Sequence, residues 1–120
     1  MALSLIPYGV TGWTQEATRR IVRDCKAEHH PVDHVWGYSS NPRSDHRNRR
    51  CVDLMVNSKA DGDWILGYLR RWENQLKVRY IIWWGHQWRD YQKSGVPWHA
   101  VVRYYGTNQH HDHVHVEFDE

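Results

Sequence analysis

The sequence predicts an α+β fold: a small, mostly antiparallel sheet with helices packed on one side, in a single domain over residues 1–120. Three observations predict it. Two segments, residues 14–30 and 61–76, carry apolar side chains at helical spacing. Several shorter segments alternate or run apolar as strands do, the last being HVHVEF at 113–118. A chain of 120 residues is long enough for one core and too short for two. No internal repeat or low-complexity segment breaks it up.

Each element has a local reason. TQEATRRIVRDCKAEHH reads as an amphipathic helix capped by Thr14, with Glu16 favourable in its first turn and Ala17, Ile21, Val22 and Cys25 on one side. It must end before Pro31. VDHVWGYSS follows as a short strand, and NPRSDHRNRR is polar, basic and turn-rich, a loop. RCVDLMV alternates, placing Cys51, Asp53 and Met55 on one face and Val52, Leu54 and Val56 on the other.

DGDWILGYLRRWENQL is a second helix, capped by Asp61 or Asp63, whose buried stripe is expected at Trp64, Tyr68, Trp72 and Leu76. VRYIIWW is almost wholly apolar and reads as a central strand. The stretch from Gly85 to Gln109 is a long excursion with a short strand at Ala100–Tyr104. In the closing strand Val114, Val116 and Phe118 share the face that can be buried, while His111, His113 and His115 share the opposite one.

Composition excludes several functions. Lys and Arg number 16 against 14 Asp and Glu, a net charge of +2, which is not the footprint of a nucleic-acid binder. No run is apolar enough for a membrane span, and MALSLIPYGVTGW lacks the basic and apolar regions of a signal peptide. The chain is therefore expected to be made in a host cytoplasm without export by the usual route, and to be a monomer. Cys25 and Cys51 form no framework or CxxC motif and read as small buried residues. Of the eight tryptophans, half or more should be core. Trp83 reads as core, whereas Trp88 and Trp98, set among polar residues, are candidates to line a groove.

The histidines of the last strand have partners upstream. His46 lies in the loop and Asp53 on the following strand, seven residues on. With one imidazole from the closing strand they make two nitrogen donors and a carboxylate, a set that zinc accepts with a further position left for water. A nearby carboxylate or imidazole would then serve as general base. His29, His30 and His34 read as helix-end and loop residues. His86, His99 and His110 remain as possible donors to an oxyanion, with His110 preferred because it adjoins the closing segment.

Ser44-Asp-His46-Arg-Asn-Arg-Arg-Cys-Val-Asp53 resembles the S-x-H-x(6)-D signature of the zinc D-alanyl-D-alanine carboxypeptidases and L-alanyl-D-glutamate endopeptidases. Asp112-His113-Val114-His115-Val116 resembles their closing D-H-V-H-V segment, and VRYIIWWGHQW resembles the intervening strand of a subgroup found in actinobacteria and phage endolysins. The resemblance runs from about Val35 to Phe118. It implies that His46, Asp53 and His115 ligate Zn²⁺, that Asp112 is the general base, and that His113 lies beside the metal and binds substrate or the oxyanion. It also implies action on the peptides of bacterial peptidoglycan at the cell wall.

In an ideal strand Asp112 faces away from His115, which would make His113 the better-placed base; Asp112 serves if the strand begins at about His113, and the turn-like NQHH ahead of it permits that, so Asp112 is the expected base and His113 the second choice. The chain departs from the pattern at Arg49, where glycine is usual, and at Cys51, where alanine is usual. Arg49 suggests a different loop path, and Cys51 either crowds the site or adds a sulfur near the metal. The arginine that commonly follows a Gly-Tyr pair is absent, since Ser39 follows Gly37-Tyr38. Arg43 is the expected substitute for binding substrate. Two other readings stand beside the peptidase: a catalytically silent zinc-containing wall-binding module, and a histidine-metal nuclease, which the charge disfavours.

Overall fold

The fold is that of a computed structural model, which describes residues 5–89, 101–103 and 110–119. It is α+β, as the alternation of helical and strand periodicity predicts. The elements run α1 (Gly12–Ala27), β1 (His34–Trp36), a 3-10 turn (Asp45–Asn48), β2 (Cys51–Met55), α2 (Lys59–Arg71), α3 (Glu73–Leu76), β3 (Val78–Trp83), β4 (His86–Arg89), β5 (Val101–Arg103) and β6 (His113–Phe118). The sheet order is β1-β2-β6-β3-β4-β5, and every neighbouring pair is antiparallel.

The last strand in the chain thus lies between the second and third. One face of the sheet carries Val52, Leu54, Ile81, Val114, Val116 and Phe118, which pack with Ala17, Ile21 and Cys25 of α1 and Ile65 and Leu69 of α2 into one core. Burial of each such side chain contributes about 1.5–3 kcal/mol. The opposite face presents Asp53, Tyr80, Ile82, His113 and His115 to the site. Among the described residues, no helix is long and apolar enough to cross a membrane.

Helix starts fall earlier than the apolar periodicity suggests. The cap of α1 is Thr11, not Thr14; its side chain accepts from the Thr14 amide at 3.3 Å, and Thr14 itself is buried within the helix. The cap of α2 is Ser58, accepting from the Asp61 amide at 3.1 Å, so neither Asp61 nor Asp63 begins the helix. The expected second helix is also divided at Trp72, and the aliphatic side chains it buries are Ile65, Leu69 and the expected Leu76, while Trp64, Tyr68 and Trp72 are not fully buried. Trp72 is 39% exposed, while Trp64 and Tyr68 stack on each other with centroids 5.7 Å apart and only partly enter the core.

The first strand is shorter than its apolar run. It stops at Trp36, and Gly37 just beyond it packs against the backbone of Tyr8, where a Cβ would lie 2.6 Å from the Tyr8 carbonyl oxygen. Trp83 and Trp88 are buried; Trp36, Trp72 and Trp84 are exposed to a third or more. Both cysteines are buried and free, and burial pushes the Cys25 thiol up to about 12.

Candidate metal centre

The site is assembled from three elements. Ser44 caps the 3-10 turn by accepting from the His46 amide at 3.2 Å, which sets the His46 side chain against the sheet. Strand β2 places Asp53 on the open face. Cross-strand pairing then sets His115 of β6 directly opposite Asp53. The two rings meet one carboxylate oxygen: His46 Nε2 lies 3.1 Å and His115 Nδ1 3.0 Å from Asp53 Oδ1. All three donor atoms lie within 4.8 Å of one another, so His46, Asp53 and His115 could hold a metal ion.

The far side of each ring decides what faces the carboxylate. His46 Nδ1 is 2.7 Å from the Gly37 carbonyl, which can only accept, so Nδ1 carries the proton. His115 Nε2 is 3.0 Å from the Tyr80 hydroxyl, whose own proton goes to Asp45 Oδ2 at 2.5 Å. His115 Nε2 must then donate. In the neutral rings, therefore, Nε2 of His46 and Nδ1 of His115 both turn a lone pair toward Asp53. Three electron-pair donors converging without a proton between them fit a cation, and two imidazoles with a carboxylate suit a divalent metal of borderline softness.

The same arrangement governs protonation. Burial works against a proton on His46, but the Asp53 carboxylate outweighs it and raises the imidazole pKa above its ordinary value. Burial likewise pushes the Asp53 carboxyl up, yet hydrogen bonds from His115 and His46 hold it well below the usual carboxylate range. Without a metal, a proton takes the place of the cation at this point.

The site opens into a cleft of about 440 Å³ lined by Arg43, Ser44, Asp45, His46, Asp53, Ile82, His110, His113 and His115. Arg43 and His110 are thus both at the cleft. His110 is buried, and its ring lies 4.6 Å from that of His113. His113 is buried too and turns Nε2 toward Asp53 Oδ1 at 3.7 Å. Asp112 is not among the lining residues. Its side chain is 73% exposed, and its Oδ1 accepts from His113 Nδ1 at 2.6 Å.

Other expectations are corrected. Trp88 pairs with Ile81 and joins the core on the helix side, so it does not line the cleft. His111 falls before β6 and its ring lies 4.2 Å from that of Trp84, away from the row formed by His113 and His115. Trp98 and His99 lie outside the described residues. His30 lies past the end of α1, its ring 3.0 Å from Asp61, whereas His34 is not a loop residue but opens β1, its ring 2.7 Å from Asp33.

Cys51 supplies no metal donor. It bonds to Glu117 Oε1 at 3.3 Å, and burial raises its pKa far above the ordinary thiol value. Arg49 adopts φ 67°, the backbone region that glycine favours, so its presence requires no rerouting of the loop. Its guanidinium donates to the Gly9 carbonyl at 2.9 Å and lies over the Tyr38 ring at 3.9 Å.

Sequence reasoning missed Tyr80 and Asp45. Tyr80 was hidden within an apolar run, and Asp45 within a polar loop. The available signal was that Tyr80 alternates with Ile81 and that Asp45 directly precedes a ligand candidate.

The fold and site define a class: a small α+β domain with a buried two-histidine, one-carboxylate donor set at the floor of a polar cleft. A family model described as VldE, C-terminal domain, matches residues 9–114, and the chain belongs to that family. The match takes in His46, Asp53, Asp112 and His113 and ends one residue before His115. No curated protein and no solved structure matches significantly.

Proposed function

We propose that this chain is a zinc-dependent peptidase that hydrolyses an amide bond in the stem or cross-link peptides of bacterial peptidoglycan, acting at the cell wall as a phage endolysin does. The observation that carries the reading is the convergence of His46 Nε2, His115 Nδ1 and Asp53 Oδ1 with their lone pairs turned inward. A second support is the resemblance of the Ser44–Asp53 and Asp112–Val116 segments to those of zinc peptidases. Zinc held by these three donors supplies Lewis acidity, polarising a peptide carbonyl and lowering the pKa of water.

The chain's own groups do the rest. His113, inside the cleft, takes the proton from the attacking water at Nε2 and returns it to the leaving amine. Asp112 holds Nδ1–H of that ring and favours the imidazolium as it forms, as a carboxylate behind a histidine base does. In this reading Asp112 keeps a part in the proton transfer, but through His113. Arg43, which lines the cleft, binds a substrate carboxylate in this reading, and His110, lining it too, donates to the carbonyl oxygen as it gains charge.

The test is digestion of purified cell walls with the zinc-loaded chain, followed by mass analysis of the new termini. New amine and carboxyl ends within the peptides are expected. Wall binding and zinc uptake with no new termini would instead favour the silent binding module.

A further inference from the structure

We infer that Tyr80 and Asp45 are a positioning pair: they fix His115 in one tautomer, so that Nδ1 and not Nε2 is the atom offered to the metal. The inference rests on the metal site of the reading above and adds two residues to it.

The argument is one of proton counting along a chain of contacts. Asp45 is a carboxylate and can only accept. Tyr80 has a single hydroxyl proton, and the 2.5 Å contact to Asp45 Oδ2 takes it. The phenol oxygen is left with lone pairs alone, 3.0 Å from His115 Nε2, so the proton between them belongs to the ring. A neutral imidazole with its proton on Nε2 has its lone pair on Nδ1, which points at Asp53 Oδ1.

Orientation is fixed as well as protonation. The Tyr80 and His115 rings lie stacked, 26° from parallel with centroids 5.4 Å apart. Both side chains are buried, so water does not compete for Nε2. Metal-binding histidines commonly donate their other N–H to an oxygen that orients them. Here that oxygen is a phenol, itself oriented by a carboxylate one residue before the other histidine ligand. The 3-10 turn therefore supplies His46 directly and steers His115 from a distance.

The experiment measures zinc affinity of the full chain by competition with a chromophoric chelator, together with ¹⁵N shifts of the His115 ring. Tyr80→Phe keeps the ring and removes the hydroxyl. It should weaken zinc binding about 10–100-fold and release His115 from a single Nε2–H form. Asp45→Ala should shift both readouts the same way, and Asp45→Asn, which still offers an oxygen to the phenol proton, should restore most of the affinity.

Wild-type affinity and an unmoved His115 signal in Tyr80→Phe would overturn the inference while leaving the zinc site standing. If circular dichroism shows that Tyr80→Phe does not fold, Asp45→Ala at the rim of the cleft decides in the same terms. A wild-type chain that takes up no zinc removes the site and the inference together.

Discussion

Asp112 and His113 are chain neighbours whose side chains meet, carboxylate on ring nitrogen at 2.6 Å, and only the histidine is inside the cleft. The pair reconciles two expectations that the sequence left in competition. The aspartate three positions before His115 lies outside the cleft, and the imidazole between them stands in the cleft in its stead.

This relationship yields a graded prediction. His113→Ala should keep zinc and lower the rate of amine release from purified walls by about 10²–10⁴-fold, the usual worth of a general base. Asp112→Ala should lower it less, about 10–100-fold, because the ring remains and only its orientation is loosened. The opposite ranking, with Asp112→Ala inactive and His113→Ala active, would give the base role to Asp112.

Zinc stoichiometry tests the three ligands directly. His46→Ala, Asp53→Ala and His115→Ala should each fail to retain one equivalent of metal after gel filtration, measured by elemental analysis. Full retention in both histidine variants would remove the site. Chelator treatment of the wild-type chain should abolish wall hydrolysis, with zinc restoring it.

Proton and metal compete for the same lone pairs. The pKa of His46 is raised in the metal-free chain, so zinc affinity should begin to fall at a pH above the ordinary imidazole value of about 6.5 and continue downward. Stability of the metal-free chain has the opposite sign for this group. The raised pKa of His46 stabilises the fold below about pH 6.5, and that contribution is lost as pH rises through the folded value. The depressed pKa of Asp53 stabilises it above about pH 4, with loss as pH falls through the folded value. Thermal melts of the chelated protein should therefore place the largest contribution of this pair between those limits.

Two glycines of α2 should respond in opposite directions. A Cβ on Gly62 would lie 2.2 Å from Trp83 Cζ2, so Gly62→Ala should destabilise by about 1–3 kcal/mol through overpacking. Gly67 has nothing within 4 Å of an added Cβ, and Gly67→Ala should stabilise by up to about 1 kcal/mol through helix propensity. Denaturant melts of the two variants suffice to check both signs.

The cluster that could hold a metal was legible in the sequence because strand alternation sets Asp53 and His115 on defined faces, and pairing between β2 and β6 then joins them. The strand bounds of β6 were equally legible, since Val114, Val116 and Phe118 alternate cleanly with polar residues. Helix starts were less so. Thr11 and Ser58 act by accepting a single backbone proton, a signal that apolar spacing does not contain.

Trp88 was misplaced because its polar neighbours in sequence are not its neighbours in space; pairing with Ile81 turns it toward the core. The Tyr80–Asp45 link spans 35 positions and depends on the fold of the 3-10 turn, so no local pattern announces it.

The position of β6 between β2 and β3 also bears on how the chain matures. During synthesis, His46 and Asp53 emerge early but gain their third companion only when residues 113–118 have left the ribosome. Until then the two halves of the sheet have no common strand. A nascent chain that lacks residues 113–118 therefore has neither the shared strand nor the third donor of the candidate site.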